Sequence, residues 1–332
     1  MPAAETARQA PDGPNPRRAP LTLSKRIFGA LFTAALLALF VLAIRRAPPG
    51  ALKSLEHARP APLLGGFAVF FASHVFRAAR LNRLLPKDER IAPSRAFGLS
   101  GATHFLAQVV PFRGGDVVSL GLLHRELGVS WSRSAGVFVL VKLIDATSAV
   151  LVGLAGGTVV LLRHRVSGGP WAAGLFGVLL VALAFLPGAG GALLEALSER
   201  ARPALRWRRA LEDIGSALSV ARRDRVAYAV ACVLSVGFLA AHVAGLKLTM
   251  AGLGIDVGFA ALAFATLAAT VAAAVVPSPA GTFGTAESGW VAALALDGVP
   301  IAAGAVSGVV VHLLATLAAG AAGLLVLRKP ER

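Results

Sequence analysis

The chain reads as long apolar runs, broken by clusters of arginine, glycine and proline, rather than as the mixed stripes of soluble amphipathic helices. Six runs predict membrane-spanning helices: Ile27–Ile44, Pro62–Phe76 continuing into Arg77 and Arg80, Ser134–Leu162, Trp171–Leu186, Val226–Met250 and Ile301–Leu327. The first has Lys25 and Arg26 before it and Arg45 and Arg46 directly after, which predicts an anchored helix rather than a cleaved leader. Two stretches do not fit a simple span. Phe97–Val110 is only 14 residues, short enough to be re-entrant. Val257–Val276 is long enough to cross but runs into Pro277-Ser278-Pro279-Ala280-Gly281.

Basic residues then set an orientation. Segment 77–133 carries nine Lys or Arg, 196–225 carries eight, and residues 1–26 carry five, with Arg328, Lys329 and Arg332 at the end. Cytoplasmic segments collect such residues, so all four are expected inside, with both termini cytoplasmic. Loops 251–257 and 297–303 carry no Lys or Arg and are expected outside. Loop 45–61, with four basic residues, breaks the rule. With this orientation, 97–127 enters and leaves on the inner side and 252–297 on the outer side.

These two stretches resemble each other. Val109-Val110-Pro111 precedes Phe112-Arg113-Gly114-Gly115-Asp116, and Val275-Val276-Pro277 precedes Gly281, Gly284 and Glu287. Gly128-Val129 and Gly298-Val299 follow, and thirteen residues beyond each valine stand Lys142 and His312. Leu143-Ile144 is matched by Leu313-Leu314. The two units face opposite ways, which predicts an inverted repeat, a frequent architecture of secondary transporters. Irregular backbone at membrane depth is tolerated only against protein or a watery cavity, so the two breaks point to a site.

Within the first break, Gly114 and Gly115 are expected to free the backbone and Asp116 to cap the returning half-helix, with Arg113 adding positive charge to an anion-attracting helix end. In the second, Thr285 is the expected cap and Glu287 a carboxylate favoured by the helix dipole yet costly in an apolar region. Lys142 and Asp145 lie on one helix face at i, i+3, as a mutual pair or as a headgroup cation with a carboxylate that tunes it or carries a proton. His312 is the counterpart of Lys142. Arg77, Arg80 and Arg83 form a stripe, either membrane anchoring or a basic vestibule for phosphate headgroups. Lys247, near the outer end of its span, can snorkel. His74, His104 and His242 show no metal-ligand spacing.

Composition narrows the function. Hydrophobic residues make up 56% and charged residues 15%, with a net charge of +16, which excludes an ordinary soluble enzyme and a disordered chain. The basic balance reads as topology and anionic lipid, not nucleic acid. The single cysteine, Cys232, cannot form an internal disulfide. No nucleophile elbow, P-loop, dinucleotide fingerprint or HExxH sequence is present, so no catalytic activity, cofactor or metal is expected.

The carriers Arg77-x-x-Arg80, Pro111-x-Arg113-Gly114-Gly115-Asp116, Pro277-Ser278 with Gly281-x-x-Gly284-Thr285-x-Glu287, and the basic Lys142 and His312 together resemble the transmembrane, flippase-like region of lysylphosphatidylglycerol synthases and its stand-alone relatives. Two positions depart from the pattern: arginine is usual where Lys142 and His312 stand, and the proline expected beside Gly281 is at Pro279. The resemblance implies lipid translocation or lipid-linked transport. The aminoacyl-transferring domain of the family is not found here, which argues against a synthase.

The expected fold is therefore all-α and integral to the membrane, with about six transmembrane helices and two re-entrant broken hairpins. A cytoplasmic tail, 1–26, precedes a first membrane half, 27–165, with its hairpin at about 97–127. The second half, 170–328, holds a cytoplasmic segment at about 188–225 and a hairpin at about 257–297. The expected function is movement of an anionic phospholipid or lipid-linked precursor between leaflets of the inner membrane, with lipid-biosynthesis proteins as possible partners. Arg77, Arg80, Arg113, Gly114, Gly115, Lys142, Gly281, Gly284 and His312 would meet the headgroup, and Asp116, Asp145 and Glu287 would carry protons. A small-solute or ion transporter and a non-transporting assembly partner of a lipid-modifying complex are the alternatives.

Overall fold

The structure is a computed structural model, and it describes residues 57–164, 196, 208–219, 223–275 and 281–327. The tail 1–26, the spans Ile27–Ile44 and Trp171–Leu186, Pro277–Ala280 and the basic C-terminus lie outside the described residues. Among the described residues the helices are α1 Pro60–Leu84, α2 Pro93–Val109, α3 Gly114–Leu127, α4 Trp131–Arg163, α5 Arg208–Leu218, α6 Arg225–Gly252, α7 Phe259–Val275, α8 Thr285–Leu296 and α9 Ile301–Gly323. The described chain is all helical, and four of its helical stretches, α1, α4, α6 and Ile301–Val326, are long and apolar enough to cross a membrane. They coincide with four of the six expected spans.

Local chemistry sets their ends. Ser130 accepts the Arg133 amide at 3.1 Å to start α4, and Asp224 accepts the Ala227 amide at 2.8 Å to start α6. Pro60 opens α1, whose preceding residue Arg59 donates its amide to the Gly252 carbonyl at 2.7 Å and so ties the start of α1 to the end of α6. At 1.5 Å per residue the 33 residues of α4 run about 50 Å, well beyond a hydrocarbon core of roughly 30 Å. Its N-terminal end is braced by the strongly amphipathic α5, where Asp213 accepts hydrogen bonds from Ser130 and Ser132, and Ser216 accepts from Arg133 at 3.0 Å.

The first helix of each irregular stretch, α2 and α7, has 17 residues. Each stretch forms a helix pair folded back on itself, α2 with α3 and α7 with α8. Much of the remaining packing crosses the sequence halves. α1 lies along α6, α2 along α9 and α4 along α7, while α9 also meets α1 and α4 meets α6. Small residues make the close approaches possible. A Cβ on Gly101 of α2 would stand 2.6 Å from the Gly323 amide of α9, and a Cβ on Gly153 of α4 would overlap Leu267 of α7. The largest core cluster draws Phe70, Leu246, Met250, Leu262, Trp290 and Val311 from five helices. Leu64, Val75, Val159, Val233 and Val271 stay exposed on outward faces, as lipid-facing side chains do.

Candidate functional site

The two hairpin tips meet in the middle of the molecule. The Thr282 amide donates to the Gln108 carbonyl at 3.0 Å, which joins the second break to the end of α2. Gly281 makes this approach with a left-handed φ of 69°, and a Cβ there would collide with the Gln108 carbonyl. The break in the first hairpin sits one step earlier than expected. Phe112 takes the left-handed conformation, at φ 51°, and Gly114 is helical at φ −57°. Gly115 serves close packing instead, because its missing side chain leaves room for the Leu106 carbonyl. The Arg113 side chain lies outside the described residues.

The expected caps are also different. Gly284, at φ 90°, is the N-cap of α8, and Glu287 reaches back to accept its amide at 2.5 Å. Thr285 instead donates to the Thr282 carbonyl at 3.0 Å. Asp116 stands third in α3 and pairs with Lys142 rather than capping the helix.

A cavity of about 600 Å³ lies between the hairpins and the spans. Its walls carry Arg77, Arg80, Asp116, Lys142, Asp145, Glu287 and His312, together with His104, Gln108 and His242. Arg77 and Arg80 are therefore not a solvated stripe where α1 leaves the membrane. Arg80 is 1% exposed and holds Asp145 through both terminal guanidinium nitrogens, donating also to Ser235 at 2.7 Å. Arg77 contacts the same carboxylate at 3.4 Å and lies over the Phe238 ring at 5.0 Å. One carboxylate thus answers two guanidinium groups, and this side of the cavity keeps excess positive charge.

Lys142 and Asp145 share a helix face but not a bond. Asp145 turns to the arginines, and Lys142 crosses to Asp116 of α3 at 2.7 Å, with both side chains about two-fifths exposed (43% and 41%). The same arrangement recurs across the cavity. Glu287 of α8 faces His312 Nδ1 of α9 at 2.5 Å, with side chains 10% and 8% exposed. Two bare acceptors would repel at that distance, so a proton lies between them. His312 Nε2 is 3.4 Å from the Thr282 hydroxyl.

The sequence reading undervalued the histidines and passed over Gln108. His104 Nδ1 is 3.3 Å from Arg77 Nη1, and its Nε2 is 2.8 Å from the Gln108 side-chain amide, which also hydrogen-bonds the Thr316 hydroxyl. Arg77 only donates, so His104 accepts at Nδ1 and carries its proton on Nε2; the amide oxygen of Gln108 then belongs toward His104. Polar contacts consequently run from Asp145 and Arg77 through His104 and Gln108 to Thr282, His312 and Glu287. The His74 ring lies tilted beside Phe238 at 6.3 Å, and His242 beside Phe70 at 4.9 Å. The signal was present: Phe70-x-x-x-His74-Val75 is echoed by Phe238-x-x-x-His242-Val243.

Spanning helices, folded-back helix pairs and a polar cavity between them define a multi-pass helical membrane protein. Residues 23–323 match the family described as the lysylphosphatidylglycerol synthase TM region, so the chain belongs to that family. No curated protein and no solved structure matches it. Membership places the protein among membrane proteins related to lipid handling.

Proposed function

We propose that this protein is flippase-like, moving the headgroup of an anionic phospholipid or lipid-linked precursor through the cavity while the tails stay in the bilayer. It acts as a transporter in the inner membrane and not as an enzyme. Its six spans and two re-entrant hairpins form two inverted halves, with both termini cytoplasmic. The observation that carries the reading is the junction of the two hairpins, Thr282 on Gln108, beside a cavity with two guanidinium groups on one carboxylate. A buried cationic excess is costly alone, and a phosphate entering beside Arg77 and Lys142 would complete it. The pairing of contacts supports the inverted halves. Exchanging α1 with α6, α2 with α7, α3 with α8 and α4 with α9 maps α2–α9 packing onto α7–α4, and α9–α1 onto α4–α6.

The test uses purified full-length protein in vesicles containing a headgroup-fluorescent phosphatidylglycerol, with quenching from one side as the readout. Wild type is expected to bring inner-leaflet label to the quencher, Arg77→Ala to slow this at least tenfold, and Lys247→Ala to leave it unchanged. A wild-type rate equal to that of empty vesicles overturns the reading. Flux of inorganic phosphate without lipid movement would favour the small-solute alternative.

A further inference from the structure

The two acid–base pairs occupy the same register. Lys142 and His312 are 170 residues apart, as are Gly128 and Gly298, both at positive φ. Their carboxylate partners each come from the returning helix of the hairpin just before. The same offset relates Gly153 to Gly323, and an offset of 166 relates Gly101 to Leu267. The close contacts Gly101–Gly323 and Leu267–Gly153 are therefore one contact made twice. At the centre, Phe70–His242 and Phe238–His74 repeat in the same way between α1 and α6.

The repetition fails at the Arg77 and Arg80 pairing with Asp145, whose equivalents are Gly245, Leu248 and Ala315, and at the ends of α2 and α7 nearest the breaks. Thr316 of α9 is fully buried beneath Gln108, to which it is hydrogen-bonded. Its counterpart on α4, Ala146, is exposed and lines the cavity. The neighbouring pairs follow: Asp116–Lys142 is open, and Glu287–His312 is covered. Two halves that agree in their far contacts and in the Phe–His pairs at the centre, and differ in burial at the breaks, have a pivot and a moving part. A chain of two equivalent halves has a second arrangement of closely related energy, in which the open and covered roles are exchanged.

We propose that Asp116–Lys142 and Glu287–His312 are two equivalent stations for one headgroup phosphate, uncovered in turn as α2 and α7 rock about their glycine contacts. The Gln108–Thr316 contact is the gate closed over the second station in this structure. The idea rests on the lipid-transport reading for the ligand, but the exchange of exposure does not depend on which molecule is carried. In each station the cation takes the phosphate and the carboxylate takes the cation back when the phosphate leaves. His312 borders the same cavity as Lys142 but is 8% exposed against 43%, so the second station is withheld while Lys142 is loaded.

The experiment uses full-length protein with Cys232→Ser in vesicles, carrying either Ala146→Cys or Thr316→Cys, and a charged thiol reagent applied to either side with no substrate added. The thiol at position 146 is expected to react from one side and that at 316 at least tenfold more slowly. Adding Gln108→Ala, which releases the gate, is expected to make 316 reactive from the opposite side and to slow 146 at least tenfold. Gln108→Asn is the second variant if the alanine form does not fold. Reaction of 316 from the same side as 146, with 146 undiminished, overturns the exchange, as does a thiol at 316 that stays silent in both variants. Exchange of exposure without lipid movement would keep this inference and sink the lipid reading. Lipid movement without exchange would do the reverse.

Discussion

Arg80 holds Asp145 with two guanidinium nitrogens while itself almost fully enclosed, the second contact being 3.2 Å long. Burying a charge is costly, and only the matched geometry offsets that cost. Removing Arg80 leaves Asp145 only the longer contact to Arg77, at 3.4 Å, so Arg80→Ala is expected to cost about 3 kcal/mol. Arg80→Lys should recover little, because a point charge cannot make the fork to Asp145 and still reach Ser235. Thermal unfolding in detergent checks both. A lysine variant as stable as wild type would show that charge alone, not the fork, secures the site.

Gly281 and Gly298 share a left-handed backbone but not its surroundings. A Cβ at Gly298 meets open space, whereas one at Gly281 strikes the Gln108 carbonyl. Gly298→Ala is expected to cost only the backbone term, about 1–2 kcal/mol. Gly281→Ala should cost more, and should separate the hairpin tips. Equal melting temperatures for the two variants would contradict the junction.

In the connection between α6 and α7, Lys247 donates to Asp256 at 2.7 Å and to the Val257 carbonyl at 2.9 Å. That hydrogen bond, and the ammonium charge behind it, hold the Asp256 carboxyl below its ordinary range. A lowered folded value means the contribution is present above the ordinary carboxylate range and is lost as pH falls through the lowered value. Asp256 is fully exposed, so the effect is expected to be small and to fade with salt. The check is a melting series from neutral to strongly acid pH: Asp256→Asn should remove a small acid-side decline, and high salt should remove it in wild type.

Lys142 meets Asp116 through its ammonium at 2.7 Å, which makes charge without bidentate geometry the feature to test. Lys142→Arg is expected to keep headgroup movement within about threefold, and Lys142→Ala to lower it at least tenfold, roughly 1.4 kcal/mol or more. The vesicle assay distinguishes them. A fully active alanine variant would remove Lys142 from the path.

Hydropathy and the basic clusters were sufficient to place the four spans described here, because a bilayer imposes length and polarity on each segment separately. The matched spacing of Lys142 and His312 was equally legible, since it is read along the chain. Partner choice was not legible. Asp145 lies one turn from Lys142, yet bonds Arg80 and Arg77 of α1, and Lys142 finds Asp116 of α3. Nor does any spacing announce that Gln108 joins His104, Thr282 and Thr316. Those contacts depend on how α2, α4 and α9 cross in space, and a low-dielectric interior rewards whichever charge or donor arrives at hydrogen-bond distance, whatever its separation along the chain. The order of residues along the chain was enough for the membrane helices and for the residue types able to do chemistry among them. Which of those residues meet, and that Asp116–Lys142 is open while Glu287–His312 is covered, follows from how the helices cross.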